Sequence, residues 1–203
     1  YGIAYSICFV VIGAIAFWKV TEALNVPRRL GRLRREHVST TLTMSSTLLV
    51  FNLHNDGDKL TMSARIKQHL CHRVTEFQTI DIYDTDAFGR VLLLDNHIQL
   101  AEMDERAYHE SLVHIPLLGL RDPKRALVVG GGDGGVLREL VKHPTMECVD
   151  MVDIDGGVVE ESKKYLPFVS DGAFDHPIVN LTIGDAFPYV KQDREPYDLI
   201  IVD

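Results

Sequence analysis

Two patterns of hydrophobic and polar positions divide the chain near residue 120. In the first part, short runs of alternating apolar and polar side chains end in turn residues such as Asp95-Asn96, which is typical of β-hairpins. The pattern predicts strands over residues 47–53, 77–83, 90–94 and 97–100. Residues 101–118 then show helical spacing, with an expected apolar side of Ala107, Leu112, Ile115 and Leu118. This part is therefore predicted to be a small antiparallel sheet followed by a helix.

From residue 125 the pattern changes to strands that alternate with helices. Strands are predicted over residues 126–129, 147–154, 178–183 and 198–202, and helices over 134–142, 157–165 and 187–192. Such alternation indicates βαβ units, hence an α/β fold with a parallel sheet that binds its ligands at the carboxyl ends of the strands. We expect residues 37–118 to form a β-rich domain with a helix. Residues 119–203 would then be the first half of a Rossmann-like domain that continues beyond Asp203.

The first 36 residues form a candidate membrane anchor with a basic linker. No residue from Gly2 to Trp18 is charged, and five arginines come after this stretch and before residue 36. About 17 to 25 apolar residues span a bilayer, and arginines beside a span favour a cytoplasmic location for the adjoining domain. This predicts a membrane contact through residues 1–20 and a cytoplasmic catalytic body. The alternatives are a buried core helix or the apolar part of a secretory signal. Because the chain opens on Tyr1, we expect further sequence before it.

Charge narrows the class of partner. Residues 1–35 carry a net charge of +5. Because the whole chain carries −8, the remaining residues carry −13. An acidic body repels nucleic acid and attracts cations, although an acidic surface also simply keeps proteins soluble. Three scattered cysteines, Cys8, Cys71 and Cys148, indicate neither a disulfide framework nor a metal cluster, and they favour a reducing compartment. The expected ligand is therefore a cation and not a nucleic acid.

Carboxylates follow every predicted strand of the parallel sheet. They are Asp133, Asp153 with Asp155, Asp185 and Asp203. The ends of parallel strands converge on one crevice, so a bound phosphate would be repelled, whereas an acidic residue about 20 positions after a glycine turn suits ribose hydroxyls. The pattern predicts a nucleoside attached to a cationic group. Each aspartate taken alone is better explained as a helix cap or turn residue, so the inference rests on the joint pattern.

Two motifs are superficial matches. Gly130, Gly132 and Gly135 fit the dinucleotide fingerprint G-x-G-x-x-G, but Asp133 within that turn argues against a bound pyrophosphate. His109 and His114 resemble a zinc-protease pair. Two residues that are five positions apart lie about 140° apart around a helix axis, so these two side chains point in different directions. A pair of zinc ligands on one helix needs a spacing of four. No residue is therefore assigned to a metal.

Three segments carry a resemblance to a known family. GGGDGGVLRELVKHP (residues 130–144), LLLDNHIQLAEMDERAYHE (92–110) and YDLIIVD (197–203) closely resemble the polyamine aminopropyltransferases. The resemblance runs from about residue 74 to 203, with the motifs in family order and spacing. It implies a methyltransferase-type Rossmann-like fold and transfer of an aminopropyl group from decarboxylated S-adenosylmethionine to putrescine. The products would be spermidine and methylthioadenosine, and the donor is a co-substrate, so no cofactor is expected.

The resemblance also implies roles for individual residues. Asp203 would accept a proton, Asp133 would bind the amine of the aminopropyl group, and Asp153 would bind the ribose. Some relatives have the longer Glu at the position of Asp153. The remaining substrate-binding or catalytic positions are Gln78 beside the nucleoside, Tyr108 and His109 in the amine site, Gly130 and Gly132 in the glycine turn, and Asp185 and Ala186 on the adenine side. The family pattern continues after Asp203 with a second aspartate and a proline, so this fragment alone is expected to be inactive.

Some alternatives stay open at the level of sequence. A methyltransferase that uses S-adenosylmethionine has the same type of sheet, but Asp133 should repel the carboxylate of its donor. A polyamine-binding protein without activity is the other alternative. The acceptor could be putrescine, agmatine, cadaverine or spermidine. The resemblance implies a homodimer or homotetramer.

Overall fold

The structure, a computed structural model, describes residues 8–10, 48–53 and 60–203. Five strands form an antiparallel sheet in chain order: β2 (Leu48–Leu53), β3 (Leu60–Val74), β4 (Thr79–Thr85), β5 (Gly89–Leu94) and β6 (His97–Ala101). Four of these match the predicted strands, and the predicted antiparallel sheet is confirmed. The long strand β3 was not predicted. Its register shifts twice against β4, after Ile66 and after His69, so its sequence shows no regular alternation of apolar and polar positions.

The second sheet is parallel and has the order β1-β10-β7-β8-β9. Its strands are β1 (Cys8–Val10), β7 (Arg125–Val129), β8 (Cys148–Asp153), β9 (Val179–Ile183) and β10 (Leu199–Val202). Along the chain, β7 pairs with β8 and β8 with β9, after which the chain returns to place β10 on the other side of β7. The order of strands therefore reverses beside β7, where open α/β sheets bind their ligands.

The helices cover this sheet and connect its strands. They are α1 (Glu105–Leu117), α2 (Gly135–Leu140), α3 (Gly156–Tyr165), α4 (Pro167–Ser170) and α5 (Ala186–Val190), with a short 3-10 turn at Ala173–Asp175. The predicted Rossmann-like α/β class is confirmed. The short helix α4, which begins at a proline, and the 3-10 turn were not predicted.

The buried side of α1 differs from the predicted one. Ala107, Ile115 and Leu118 are exposed, Leu118 to 87%, and of the predicted apolar side only Leu112 is buried. The helix instead buries Glu105, His109, Leu112, Val113, Pro116 and Leu117. Hydrophobic spacing indicated the wrong side because two of the buried positions are occupied by ionisable residues. Both of them belong to the site described below.

Two of the hydrophobic cores determine where the site lies. The larger core lies between α1, α2 and the parallel sheet and includes Leu112, Val128, Leu137 and Met151. A second core joins the sheets, because Ile80, Ile82 and Leu92 of the antiparallel sheet pack with side chains that include Val158 of α3 and Val169 of α4. The carboxyl ends of the parallel strands are thereby placed close to the β3–β4 connection.

Most of the candidate membrane anchor lies outside the described residues. Its described part, Cys8–Val10, forms β1, which lies parallel to β10 with Cys8 opposite Leu199. In the ranges that the structure describes, no helix is long and apolar enough to cross a bilayer.

Candidate active site

The glycine turn after β7 brings the backbone close to two other elements. Gly130 has φ +82°, and a Cβ there would collide with the main-chain oxygen of Asp203. A Cβ on Gly132 would lie 2.9 Å from Asp153 Oδ2. Glycine is required at both positions because a side chain would collide with the neighbouring strand ends. The turn therefore lets Asp133, Asp153 and Asp203 approach one another.

Asp133 lies at the centre of this turn, just before α2. Its Oδ1 accepts a hydrogen bond from the Gly135 N–H at 2.7 Å and lies 3.3 Å from His109 Nε2. Burial by itself would raise the pKa of Asp133, but His109 and the Gly135 N–H together outweigh burial and hold the pKa below its usual value. Asp133 is therefore an anion at neutral pH.

Tyr108 and Asp203 form the second contact of the site. Tyr108 Oη donates to Asp203 Oδ1 at 2.6 Å. The other oxygen, Oδ2, is buried and has no hydrogen-bond partner among the described residues. Burial and the charge of Asp133 raise the pKa of Asp203 to about 6, although the Tyr108 hydrogen bond opposes that rise. A buried carboxylate oxygen without a partner is costly, so this atom is suited to receive a hydrogen bond from a cationic ligand.

His109 connects the site to a buried ion pair. Its Nδ1 lies 2.9 Å from Glu105 Oε2, and Glu105 in turn binds Arg138 through two contacts of 3.0 Å each. All three side chains are buried. Burial alone would lower the pKa of His109, but hydrogen bonds to Asp133 and Glu105 raise it to about 9. His109 is thus an imidazolium between two carboxylates at neutral pH.

The two acidic residues after β8 have different tasks. Both oxygens of Asp155 are engaged: Oδ1 accepts from the Gly157 N–H at 2.9 Å, and Oδ2 accepts from Thr75 at 2.8 Å and Gln78 at 3.0 Å. Asp155 therefore caps α3 and fastens the β3–β4 connection to it. Asp153 uses its Oδ1 for the Asp155 N–H, and its Oδ2 faces Gly132 in the glycine turn. Burial raises the pKa of Asp153. Of the two residues, Asp153 is the better placed to bind a ligand.

A cleft beside these strand ends lies between the β3–β4 connection and the start of α3. It has a volume of about 450 Å³ and is lined by Thr75, Phe77, Ile154, Asp155 and Ile183, among others. Ile154, Ile183 and Phe77 are large apolar side chains that remain exposed. The volume is within the range of small-molecule sites, and the lining combines these apolar side chains with charged ones such as Asp155 and Glu160. Asp185 and Ala186 begin α5 near the end of β9, where Asp185 Oδ1 accepts the Phe187 N–H at 2.8 Å.

The structure thus joins most of the predicted residues. Tyr108, His109, Asp133 and Asp203 are linked by direct contacts, and the glycine turn brings Asp153 beside them. Gln78 contacts Asp155, and Asp185 and Ala186 lie one strand further along. The ligand roles of all of these residues stay predictions. Glu105 and Arg138 were not predicted. Both could have been identified from the sequence as charged residues within a helical apolar pattern.

The same site includes a set of donors that could hold a metal ion. One donor atom each from His109, Asp133 and Asp203 lie within 4.8 Å of one another. With its pKa raised to about 9, however, His109 carries a proton at neutral pH that a metal ion would have to displace. The chemistry of this donor set favours an organic cation.

His114, the other half of the protease-like pair, contacts Glu139 at 2.9 Å and takes no part in the site.

The site therefore lies in an α/β fold whose strand ends place carboxylates around a glycine turn. Residues 105–203 match the spermine/spermidine synthase domain, and residues 49–102 match the spermidine synthase tetramerisation domain. The chain belongs to the spermine/spermidine synthase family, as its motifs predicted.

Individual relatives agree with this assignment. The chain is 46% identical over 149 residues to a polyamine aminopropyltransferase of Thermoanaerobacter sp. (strain X514), covering 73% of this chain and 53% of that protein. It is 48% identical over 143 residues to a spermidine synthase of Dictyostelium discoideum, covering 70% and 50%. The chain spans about half the length of the curated relatives it matches.

Solved structures share the fold. A spermidine synthase from Thermotoga maritima superposes with a TM-score of 0.70 at 34% identity, covering 76% of this chain and 54% of that one. A spermidine synthase in complex with the transition-state analogue AdoDATO superposes with a TM-score of 0.71 at the same identity and coverage.

Proposed function

We propose that the full-length protein transfers the aminopropyl group of decarboxylated S-adenosylmethionine to putrescine, giving spermidine and methylthioadenosine. The observation that carries the proposal is that Asp203 Oδ2 is buried without a hydrogen-bond partner among the described residues, close to the anionic Asp133. The donor brings a sulfonium and an ammonium, and the acceptor brings further ammonium groups. Two cations repel each other in water, and an anionic slot offsets that repulsion while it orients them.

The donor would lie along the carboxyl ends of the strands. Asp153 would bind the ribose hydroxyls, Asp133 would bind the donor's ammonium, and the adenine would lie towards Ile154 and Asp185. Support comes from the position of Asp153 Oδ2, which faces the glycine turn at Gly132, and from the exposed apolar side chains of the neighbouring cleft. Support also comes from a relative that has been solved with AdoDATO.

The reaction is a direct displacement. The acceptor amine attacks the carbon beside the sulfonium, a C–N bond forms, the C–S bond breaks, and the electron pair leaves with the neutral thioether. The amine loses one proton, which Asp203 accepts. Proton transfer from an alkylamine with a pKa of about 10.4 to an ordinary carboxylate of about 3.9 is uphill by about 9 kcal/mol. The raised pKa of Asp203 narrows that gap. Tyr108 holds the carboxylate in place by its hydrogen bond.

The test uses the full-length protein with decarboxylated S-adenosylmethionine and a panel of putrescine, agmatine, cadaverine and spermidine. Mass spectrometry should show methylthioadenosine together with putrescine that has gained one aminopropyl unit, and both should fade in the Asp133→Asn variant. A folded protein that yields no product with any amine contradicts the proposal.

Assembly and location are separate proposals. We infer a homodimer or homotetramer, because the antiparallel sheet matches the spermidine synthase tetramerisation domain. We also infer a cytoplasmic catalytic domain with an N-terminal membrane contact. Light scattering of the full-length protein tests the oligomeric state, and a monomer would contradict the proposed dimer or tetramer. Fractionation of lysed cells without detergent tests the second, where a fully soluble protein contradicts the membrane contact.

A further inference from the structure

Outside the candidate active site, three metal-ligating side chains converge on the antiparallel sheet. His69 Nε2 lies 3.0 Å and His72 Nδ1 lies 2.9 Å from the same atom, Asp81 Oδ1. Asp81 is buried, with 8% of its side chain exposed, whereas the side chains of His69 and His72 are 37% and 57% exposed. The carboxylate is therefore held by the protein, and the two imidazoles can be reached from solvent. We call this set the His69–His72–Asp81 cluster.

A β-bulge makes this convergence possible. In a regular strand, residues three apart point to opposite faces of the sheet. In β3, however, His69 lies opposite Tyr83, Cys71 lies opposite Ile82, and His72 lies opposite Asp81, so the bulge leaves one residue of β3 unpaired. The two histidines are thus two pairing positions apart and share one face of the sheet. Bulges commonly re-aim a side chain in this way.

The surroundings of the cluster orient its donors. The His69 ring stacks on Tyr83, with ring centroids 4.3 Å apart and planes 14° apart, so its nitrogen is directed at Asp81. The neighbouring thiol of Cys71 belongs to the other face of the sheet, where it donates to Glu161 at 3.3 Å. The cluster is therefore a set of two imidazoles and one carboxylate without thiolate.

The separations of the donors suit a transition-metal ion. One nitrogen of each histidine and one oxygen of Asp81 all lie within 4.8 Å of one another. Around a tetrahedral zinc ion with bonds of about 2.0 to 2.1 Å, ligand atoms lie about 3.3 Å apart, so the two histidine–carboxylate separations need to widen by only a few tenths of an ångström. Nitrogen and oxygen donors of this type suit borderline ions such as zinc better than Ca²⁺ or Mg²⁺.

We propose that the His69–His72–Asp81 cluster is a binding site for a divalent transition-metal ion of the zinc class, with water completing the coordination. The ion would lie between both imidazoles and the Asp81 carboxylate, in place of their direct contacts. It would also join β3 to β4 beside the bulge, where the ladder of backbone hydrogen bonds is interrupted. The site is independent of aminopropyl transfer, since its residues contact none of the proposed substrate-binding side chains.

The experiment measures metal binding to the full-length protein, prepared without a polyhistidine tag and stripped with a chelator. Zn²⁺ is titrated in competition with a chromophoric chelator, and Co²⁺ is added separately to record its visible absorption. One tight Zn²⁺ per chain is expected, together with the strong absorption of four-coordinate Co²⁺. His69→Gln and His72→Gln should each weaken Zn²⁺ binding by more than about tenfold, because even the loss of an outer partner of a ligand has an effect of that size.

Two control variants separate this site from others. His97→Gln removes an exposed histidine of the same sheet whose Nδ1 faces the main-chain oxygen of Asp95 at 2.8 Å, and Zn²⁺ affinity should not change. Asp133→Asn removes a donor from the other candidate group, and affinity should again be unchanged. Both cluster histidines are exposed, so their variants should unfold at the same urea concentration as the unaltered protein without metal. No Zn²⁺ binding, or binding that survives His69→Gln and His72→Gln, overturns the proposal.

Discussion

Arg138 and Glu105 form a two-point ion pair in the interior of the protein. Nη1 and Nη2 of the guanidinium each lie 3.0 Å from one oxygen of the carboxylate, and both side chains are almost completely buried. Glu105 also contacts His109, which contacts Asp133. The pair therefore acts on the proposed amine site through His109, although it touches no substrate. Glu105 and Arg138 are positioning residues in this scheme.

Neutralising one member of this pair should destabilise the fold. Glu105→Gln keeps the size of the side chain but removes the carboxylate charge between Arg138 and His109, which leaves Arg138 with Glu139 alone at 2.7 Å. Because one partner remains, we expect a loss of at most about 3 kcal/mol, the lower end of the range for breaking a buried pair. The free energy of unfolding of the full-length protein in urea measures the effect. Arg106→Ala is the matched control, because Arg106 lies 3.9 Å from the same carboxylate but is 71% exposed. That control should change stability by less than about 0.5 kcal/mol. Equal losses of stability in both variants would contradict the assignment of Glu105 and Arg138 to a stabilising buried ion pair.

Removing the Tyr108 hydroxyl should shift the pH dependence of the reaction. Asp203 must be ionised to accept a proton, so kcat/KM should fall as the pH drops through the pKa of Asp203, which lies at about 6. The Tyr108 hydrogen bond lowers that pKa. In Tyr108→Phe the acid limb should therefore move to higher pH, by about one unit for a hydrogen bond to a charged group. An acid limb that stays in place shows that this contact does not tune Asp203.

The proposed role of Asp133 predicts a difference between two ligands. Asp133→Asn keeps an oxygen for the Gly135 N–H but removes the negative charge. Affinity for decarboxylated S-adenosylmethionine should fall by about 10- to 100-fold, the usual range for a hydrogen bond between charged groups. Affinity for methylthioadenosine, which has no aminopropyl ammonium, should change by less than about threefold. Calorimetric titration of both ligands measures this difference. Equal losses would mean that Asp133 does not recognise the ammonium.

The pKa of His109 predicts that stability falls as the pH rises above neutrality. Its folded value of about 9 exceeds the ordinary value of 6.5, so its contribution is complete below 6.5 and is lost as the pH rises through 9. Linkage gives a loss of about 2 kcal/mol between pH 6.5 and 8.5. In this window Asp133 is ionised, and Asp203, with a pKa of about 6, completes its ionisation near the lower end. Urea unfolding at several pH values measures the loss, and His109→Gln should flatten the curve. A curve of unchanged slope in that variant assigns the loss to another group.

Some of the fold and site could be predicted because local pattern and final structure agree. Strands β7 and β8 are buried on both faces, so their apolar runs are visible in the sequence, and the aspartates after the parallel strands converge by topology alone. Strand β3 could not be predicted, because its bulges break the alternation that marks a strand. The buried side of α1 was missed for a related reason. Glu105 and His109 are buried only because partners distant in sequence satisfy their charges, and hydrophobic spacing carries no information about such partners.

Gly135 provides the most direct test of the contact between α1 and the glycine turn. A Cβ at this position would collide with three atoms of the His109 ring, so Gly135→Ala must displace the ring from Asp133. Forcing atoms into a packed site costs about 1 to 3 kcal/mol. Displacement should also abolish the loss of stability above neutral pH, because His109 would no longer be held between two carboxylates. Gly119→Ala is the control, since the nearest atom to its Cβ would be the Pro116 oxygen at 3.4 Å. If Gly135→Ala lowers stability but leaves the pH dependence intact, His109 stays in place and the turn absorbs the methyl group by moving elsewhere.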